Sequence, residues 1–130
     1  MKLNADAMQG VNAISRHSDE GVIVNGLTWR RPVIVPWRGE VREWGVAGFD
    51  GLAENDFERL AELGPELVIF GSGPTLRFAR PALWRSLMQQ RIGFETMDTA
   101  AACRTYNVLL AEGRSVVAAL LFSGGAGGRA

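Results

Sequence analysis

The chain has 130 residues with 14 basic and 14 acidic side chains, so its formal charge is zero, and 47% of its residues are hydrophobic. Length and composition fit one compact domain that needs no disulfide or metal staple, and they leave little room for extended disorder. Thirteen of the basic residues are arginine, but they alternate with acids, as in Arg38, Glu40, Arg42 and Glu43, which argues against a phosphate-driven nucleic-acid binder.

Residues 1–10, "MKLNADAMQG", have neither the apolar core of a signal peptide nor the arginine-rich, acid-poor character of a transit peptide. They are expected to be a flexible lead-in to a domain spanning residues 11–122. With no apolar run of membrane-spanning length, the expected setting is soluble and cytoplasmic, without membrane insertion.

From Val11 to Trp44, β-branched and polar residues mix between turn residues. "VNAISRHS", "GVIVNG" and "TWRRPVIVPW" read as strands of a β-meander, with turns at Asp19 to Gly21 and at Asn25 and Gly26. The Asn25–Gly26 pair is a hairpin signal because both residues tolerate positive φ. Pro32 and Pro36 donate no ladder hydrogen bond, which predicts an edge strand or a bulge there.

After the glycine-spaced link "GVAGFDGL" the period changes. "ENDFERLAELG" sets Phe57, Leu60 and Ala61 on one helical stripe, with Asn55 or Asp56 near the start and Gly64 and Pro65 at the end. "ELVIF" is a nearly all-apolar run of the kind buried in parallel sheets, and "GSGP" follows as a loop. "RPALWRSLMQQRIG" predicts a helix with Leu83, Leu87 and Met88 inward, Pro81 in its first turn and Gly93 at its C-cap. "FETM" is a further strand, Thr99 to Glu112 a helix and "SVVAALLF" a last buried strand. Helical crossovers favour a largely parallel sheet, with the direction of the last strand left open. The tail "SGGAGGRA", residues 123–130, is too glycine-rich to order itself.

Cys103 is the sole cysteine and His17 the sole histidine, which excludes an internal disulfide and a zinc site built mainly from such ligands. No metal and no cofactor are expected. On the helix from Thr99, residues Ala102, Cys103, Tyr106, Leu109 and Leu110 fall in one apolar arc, so Cys103 reads as a buried structural thiol. Asp98 is placed to cap that helix, and Gly113 to end it. Arg104 and Asn107, three apart, either make structural contacts or jointly present donors to an anion.

Gly71, Ser72 and Gly73 follow a buried strand and precede a helix, where backbone N–H groups can cradle an anion. The dinucleotide fingerprint is incomplete, because Leu76 stands where a third glycine is needed, and the Walker lysine is missing. If the strands before "GSGP" and "MDT" are parallel, both loops emerge at the sheet's carboxyl edge, where ligand crevices of open α/β sheets lie. That defines a candidate ligand-binding crevice of Gly71, Ser72, Gly73, Asp98, Thr99, Arg104 and Asn107. No base, nucleophile and orienting group assemble into a catalytic set, so no catalytic residue is assigned.

The succession "VIFGSGP", a proline-led helix, "MDTAAACRTYNVLLAEGR" and "VVAALL" resembles a family of small domains. That family includes assembly factor 3 of mitochondrial respiratory complex I and many uncharacterised bacterial and archaeal proteins. The resemblance covers roughly Val11 to Phe122. It implies a three-layer α/β fold, a central mixed sheet with helices on one face and a smaller β layer on the other. For the mitochondrial members it implies a scaffolding role with a protein partner and no known chemistry. Its motif positions fall on Gly71, Gly73, Met97, Asp98, Thr99, Arg104, Thr105, Asn107, Glu112 and Arg114. Two functions are therefore carried forward. One is a non-enzymatic interaction module docking a protein through Trp29, Trp37 or Trp44, and the other a small-molecule or anion binder using the crevice.

Overall fold

Alternation of apolar side chains along three strands sets the architecture. In the computed structural model, which describes residues 10–123, Val33 and Val35 face one core while Ile34 faces the other. Ile69 is likewise set against Val68 and Phe70, and Val116, Ala118 and Leu120 against Val117 and Ala119. Strands buried on both faces read as continuous apolar runs, because side chains alternate sides at every residue.

These strands are β4 (Val33–Pro36), β6 (Leu67–Gly71) and β8 (Val116–Leu120). With β5 (Arg42–Glu43) and β7 (Gly93–Met97) they form a five-stranded sheet in the order β5-β4-β8-β6-β7. Strand β6 is parallel to both β7 and β8, whereas β4 runs antiparallel to β8 and β5. The last strand thus joins the parallel part of a mixed sheet. A second, antiparallel sheet holds β1 (Ile14–Ser18), β2 (Gly21–Val24) and β3 (Leu27–Trp29). The turn between β2 and β3 is Asn25 at φ 54 and Gly26 at φ 80, the positive pair that the dipeptide predicts.

Helices α1 (Glu54–Ala61) and α2 (Arg85–Gln89) cover one face of the large sheet through Phe57, Leu60, Ala61 and Leu87. Helix α3 (Thr99–Ala111) and the small sheet cover the other through Ala102, Cys103, Tyr106 and Leu110 with Ile14, Val22 and Val24. The three-layer α/β arrangement is present, with α3 sharing the face of the β layer. The lead-in and the glycine-rich tail, taken above as flexible, lie outside the described residues except for Gly10 and Ser123.

Three local expectations are corrected. "TWRRPVIVPW" is not one edge strand, since the chain leaves the small sheet at Arg30 and enters the large one at Val33, where β4 is flanked on both sides. Pro32 precedes β4, and Pro36 ends it beyond the reach of the two-residue β5, whose register stops at Ile34, so neither proline interrupts that ladder. The segment from Pro81 is a 3-10 turn, Pro81–Trp84, followed by the short α2. Three residues per turn shift the helical phase, and Met88, expected inward, is 49% exposed while Leu87 is buried. The chain reverses after α2 at Arg91, φ 60, and Gly93 opens β7 instead of capping the helix. A Cβ on Gly93 would stand 2.8 Å from the end of the Leu67 side chain, which would have to shift to admit it.

The phase of α2 is directly testable. Leu87→Ala should lower stability by about 2–5 kcal/mol in chemical denaturation, whereas Met88→Lys should stay within about 0.5 kcal/mol of wild type.

Candidate functional site

The start of α3 is built by its cap. Asp98 is extended, and its Oδ1 accepts the N–H of Ala101 at 2.9 Å. The next residue, Thr99, is 1% exposed and stitches three segments together. Its Oγ1 accepts the N–H of Gly73 at 2.9 Å and donates to the carbonyl of Leu121 at 2.6 Å, and its N–H donates to the carbonyl of Gly73 at 2.8 Å. Ser72 adds a bond from its N–H to the carbonyl of Met97 at 2.8 Å, and its hydroxyl oxygen lies 3.2 Å from the same carbonyl. A Cβ on Gly71 would stand 2.8 Å from Leu120 Cδ2 and 3.0 Å from Thr99 Oγ1. Gly71, Ser72, Gly73, Asp98 and Thr99 therefore meet at the carboxyl edge, where a hydrogen-bonded seam joins Gly73 to Thr99 and Ser72 to Met97, and Asp98 caps α3 through Ala101.

The remaining two crevice residues diverge. Asn107 turns toward the β layer, where its Nδ2 donates to the carbonyl of Ile14 at 2.8 Å and its Oδ1 accepts the N–H of Ile14 at 3.0 Å. Its neighbour Tyr106 is fully buried, and its hydroxyl lies 2.8 Å from the carbonyl of Asn12 and 3.1 Å from that of Pro36. Burial raises the Tyr106 phenol well above its usual range. Arg104 is exposed and makes no ion pair among the described residues.

Cys103 is buried in the core beside Ala102 and Tyr106, and burial pushes its thiol up to about 12, against a smaller downward pull from Arg104. Such a thiol is protonated and enclosed at neutral pH, the opposite of a reactive nucleophile. Arg114 and Glu66 close the far end of α3, with Arg114 Nε donating to Glu66 Oε1 at 2.9 Å and the N–H of Ser115 donating to Oε2 at 2.8 Å. The Ser115 N–H and then the Arg114 guanidinium hold the Glu66 carboxyl below its usual range. Gly113, at φ 82, is the left-handed residue that ends the helix.

Sequence reasoning missed the opposite flank of the GSGP loop. A cavity of about 140 Å³ opens there, bordered by Pro32, Phe49, Thr75, Arg77, Leu121 and Phe122, together with Gly73. The Arg77 guanidinium lies 4.1 Å from the centre of the Phe49 ring and pairs with Asp50 at 3.1 Å. The legible signal was the run from Leu67 to Phe94, which holds Arg77, Arg80, Arg85 and Arg91 and no acid.

Residues 14–121 match the family described as "Protein of unknown function (DUF498/DUF598)". The chain belongs to this family. The cow (Bos taurus) protein named NADH dehydrogenase (ubiquinone) 1 alpha subcomplex assembly factor 3 is 33% identical over 111 residues, 83% of this chain and 59% of the cow protein. The chain thus spans about three-fifths of that relative's length. The crystal structure of a Bordetella parapertussis protein superposes with a TM-score of 0.83 at 33% identity, covering 88% of this chain and 98% of the other. A solution structure from Bordetella pertussis, described as a Mth938-like domain, gives a TM-score of 0.77 at 28% identity, with 87% of each chain covered.

Five of the ten motif positions that the resemblance singled out have a direct structural account. Gly71 admits no side chain, Asp98 caps, Thr99 stitches, Asn107 clamps β1 and Arg114 holds Glu66. The tryptophan candidates pack into or against the cores, which removes them as an exposed docking patch. Trp44 is fully buried, edge-on to Phe57 and Phe70, and Trp29 and Trp37 are partly buried against the cores. Among the described residues, no helix is long and apolar enough to cross a membrane.

Two outcomes test these assignments. Asn107→Ala strands both backbone groups of Ile14 and should cost about 1–3 kcal/mol, whereas Arg104→Ala should cost less than about 0.5 kcal/mol, by urea denaturation. Cys103 should resist iodoacetamide in the native protein near pH 8 and react once the chain unfolds, as read by intact mass. Because folding raises the thiol from 9.0 to about 12, its linked contribution to stability is intact below pH 9 and is lost as pH climbs toward 12.

Proposed function

We propose that this chain is a non-enzymatic interaction domain that assists assembly of a respiratory NADH dehydrogenase, working in the cytoplasm and binding a protein partner through the loop that carries Leu76 and Phe78. The assembly role is carried over from the cow relative, which is named as an assembly factor. The observation that carries the docking surface is exposure: Phe78 is 70% and Leu76 52% exposed, two positions apart on one loop.

That loop is held, not loose. Ser72 Oγ donates to the carbonyl of Thr75 at 2.8 Å and accepts the N–H of Arg77 at 3.0 Å. The Arg77 guanidinium lies over the Phe49 ring with a solvent-exposed contact to Asp50, while Ala79 is buried and its carbonyl accepts the Trp84 indole N–H at 3.3 Å. A loop already ordered loses less entropy on docking, and an aromatic anchor beside arginine is the composition of interface hot spots. In the opposite direction, the polar groups of the GSGP seam are spent on each other, which favours scaffolding over small-molecule chemistry at that seam.

Cells of the source organism lacking this chain should show less fully assembled NADH dehydrogenase on native gels. Wild-type chain should restore it, and a Leu76→Ser/Phe78→Ser variant with an unchanged melting temperature should not. Normal assembly without the chain would remove the assembly role, while full rescue by the double variant would remove the docking loop.

A further inference from the structure

The cavity on the outer flank of the GSGP loop has the composition of a binding site. It opens where the parallel strands β6 and β8 end, since Ser72 to Thr75 follow the first and Leu121 and Phe122 the second. Ligands of open α/β sheets occupy this position, because the loops leaving parallel strands diverge there. Pro32, Phe49, Leu121 and Phe122 supply apolar walls beside the polar groups of the loop, and the partly open volume of about 140 Å³ has room for a single six-membered ring.

Arg77 supplies the charged group on this wall, and it is positioned before any ligand arrives. Its N–H is bonded to Ser72 Oγ, a group on a residue only 4% exposed, and its guanidinium rests over Phe49 at 4.1 Å. The partner it holds is weak, since the Asp50 side chain is 90% exposed and the Arg77 side chain 47%. Pairs so open to water contribute about 0–1 kcal/mol, so a ligand carboxylate can replace Asp50, which turns into solvent. A planar guanidinium accommodates a carboxylate through two parallel hydrogen bonds.

We infer that this cavity binds a small molecule joining a flat apolar body to a carboxylate, with the body between Phe49, Pro32 and Phe122 and the carboxylate on Arg77. The site shares Ser72 and Gly73 with the hydrogen-bonded seam to Thr99 but opens on the other flank of the loop, and it does not depend on the assembly role.

Benzoate is the probe, benzyl alcohol its uncharged counterpart, both titrated at constant ionic strength into the ¹⁵N-labelled full chain. Benzoate should produce saturable amide shifts confined to Phe49, Gly73, Thr75, Arg77, Leu121 and Phe122, with benzyl alcohol at least about tenfold weaker. Arg77→Gln should erase the difference between the two probes, and its unperturbed distant amides will certify the fold. Absence of saturable shifts, shifts centred elsewhere, or equal benzoate binding by Arg77→Gln would each overturn the inference.

Discussion

Strand β8 is buried at every residue from Val116 to Leu120, on both of its faces. A strand in that position obliges the chain to build a layer against each side, because side chains pointing either way must leave water. About 25 cal/mol is gained for each Å² of apolar surface removed, and no surface strand could hold five such residues at comparable gain. The rest of the molecule answers that demand. Helices α1 and α2 close one side with Phe57, Leu60 and Leu87, and α3 and the small sheet close the other with Tyr106, Val22 and Val24.

Covering the second side creates a problem that polar residues resolve. A helix and a three-stranded sheet share one face, and apolar contact alone does not set their register. Asn107 does so by bonding both backbone groups of Ile14, and the Tyr106 hydroxyl does so by reaching the carbonyls of Asn12 and Pro36. Thr99 performs the same service at the carboxyl edge, tying α3 to the GSGP loop and to the end of β8. These groups look like a binding site when viewed along the chain, because hydrogen-bonding side chains near a glycine loop are what an anion site also needs. Their partners here are the protein's own backbone.

The proposed binding surfaces lie on the other flank of that loop. With Ser72 turned inward to hold Thr75 and Arg77, the segment from Pro74 to Arg80 is presented outward as an ordered surface. It offers the exposed Leu76 and Phe78 on one aspect and the Arg77 side of the cavity on another. Fixing the loop by a buried hydroxyl is what allows exposed apolar side chains to keep a defined position.

Much of this was legible in short stretches. Asn25 with Gly26, Gly64 and Gly113 announced positive φ, Asp98 announced a cap, and the apolar arc of α3 placed Cys103 in the core, since each depends on residues within a turn or two of one another. The strands β6 and β8 were legible as unbroken apolar runs. What local chemistry could not disclose were the encounters between distant segments. The clamp of Asn107 on Ile14 spans 93 residues, the departure of β4 into the large sheet depends on β8 lying beside it, and Met88 turns outward because a 3-10 turn shifted the phase ahead of it. Propensity and capping act over a few residues and are written in their order. The open side of a loop, the partner of a strand and the target of an asparagine are set by whatever packing brings near, and that is a property of the folded chain.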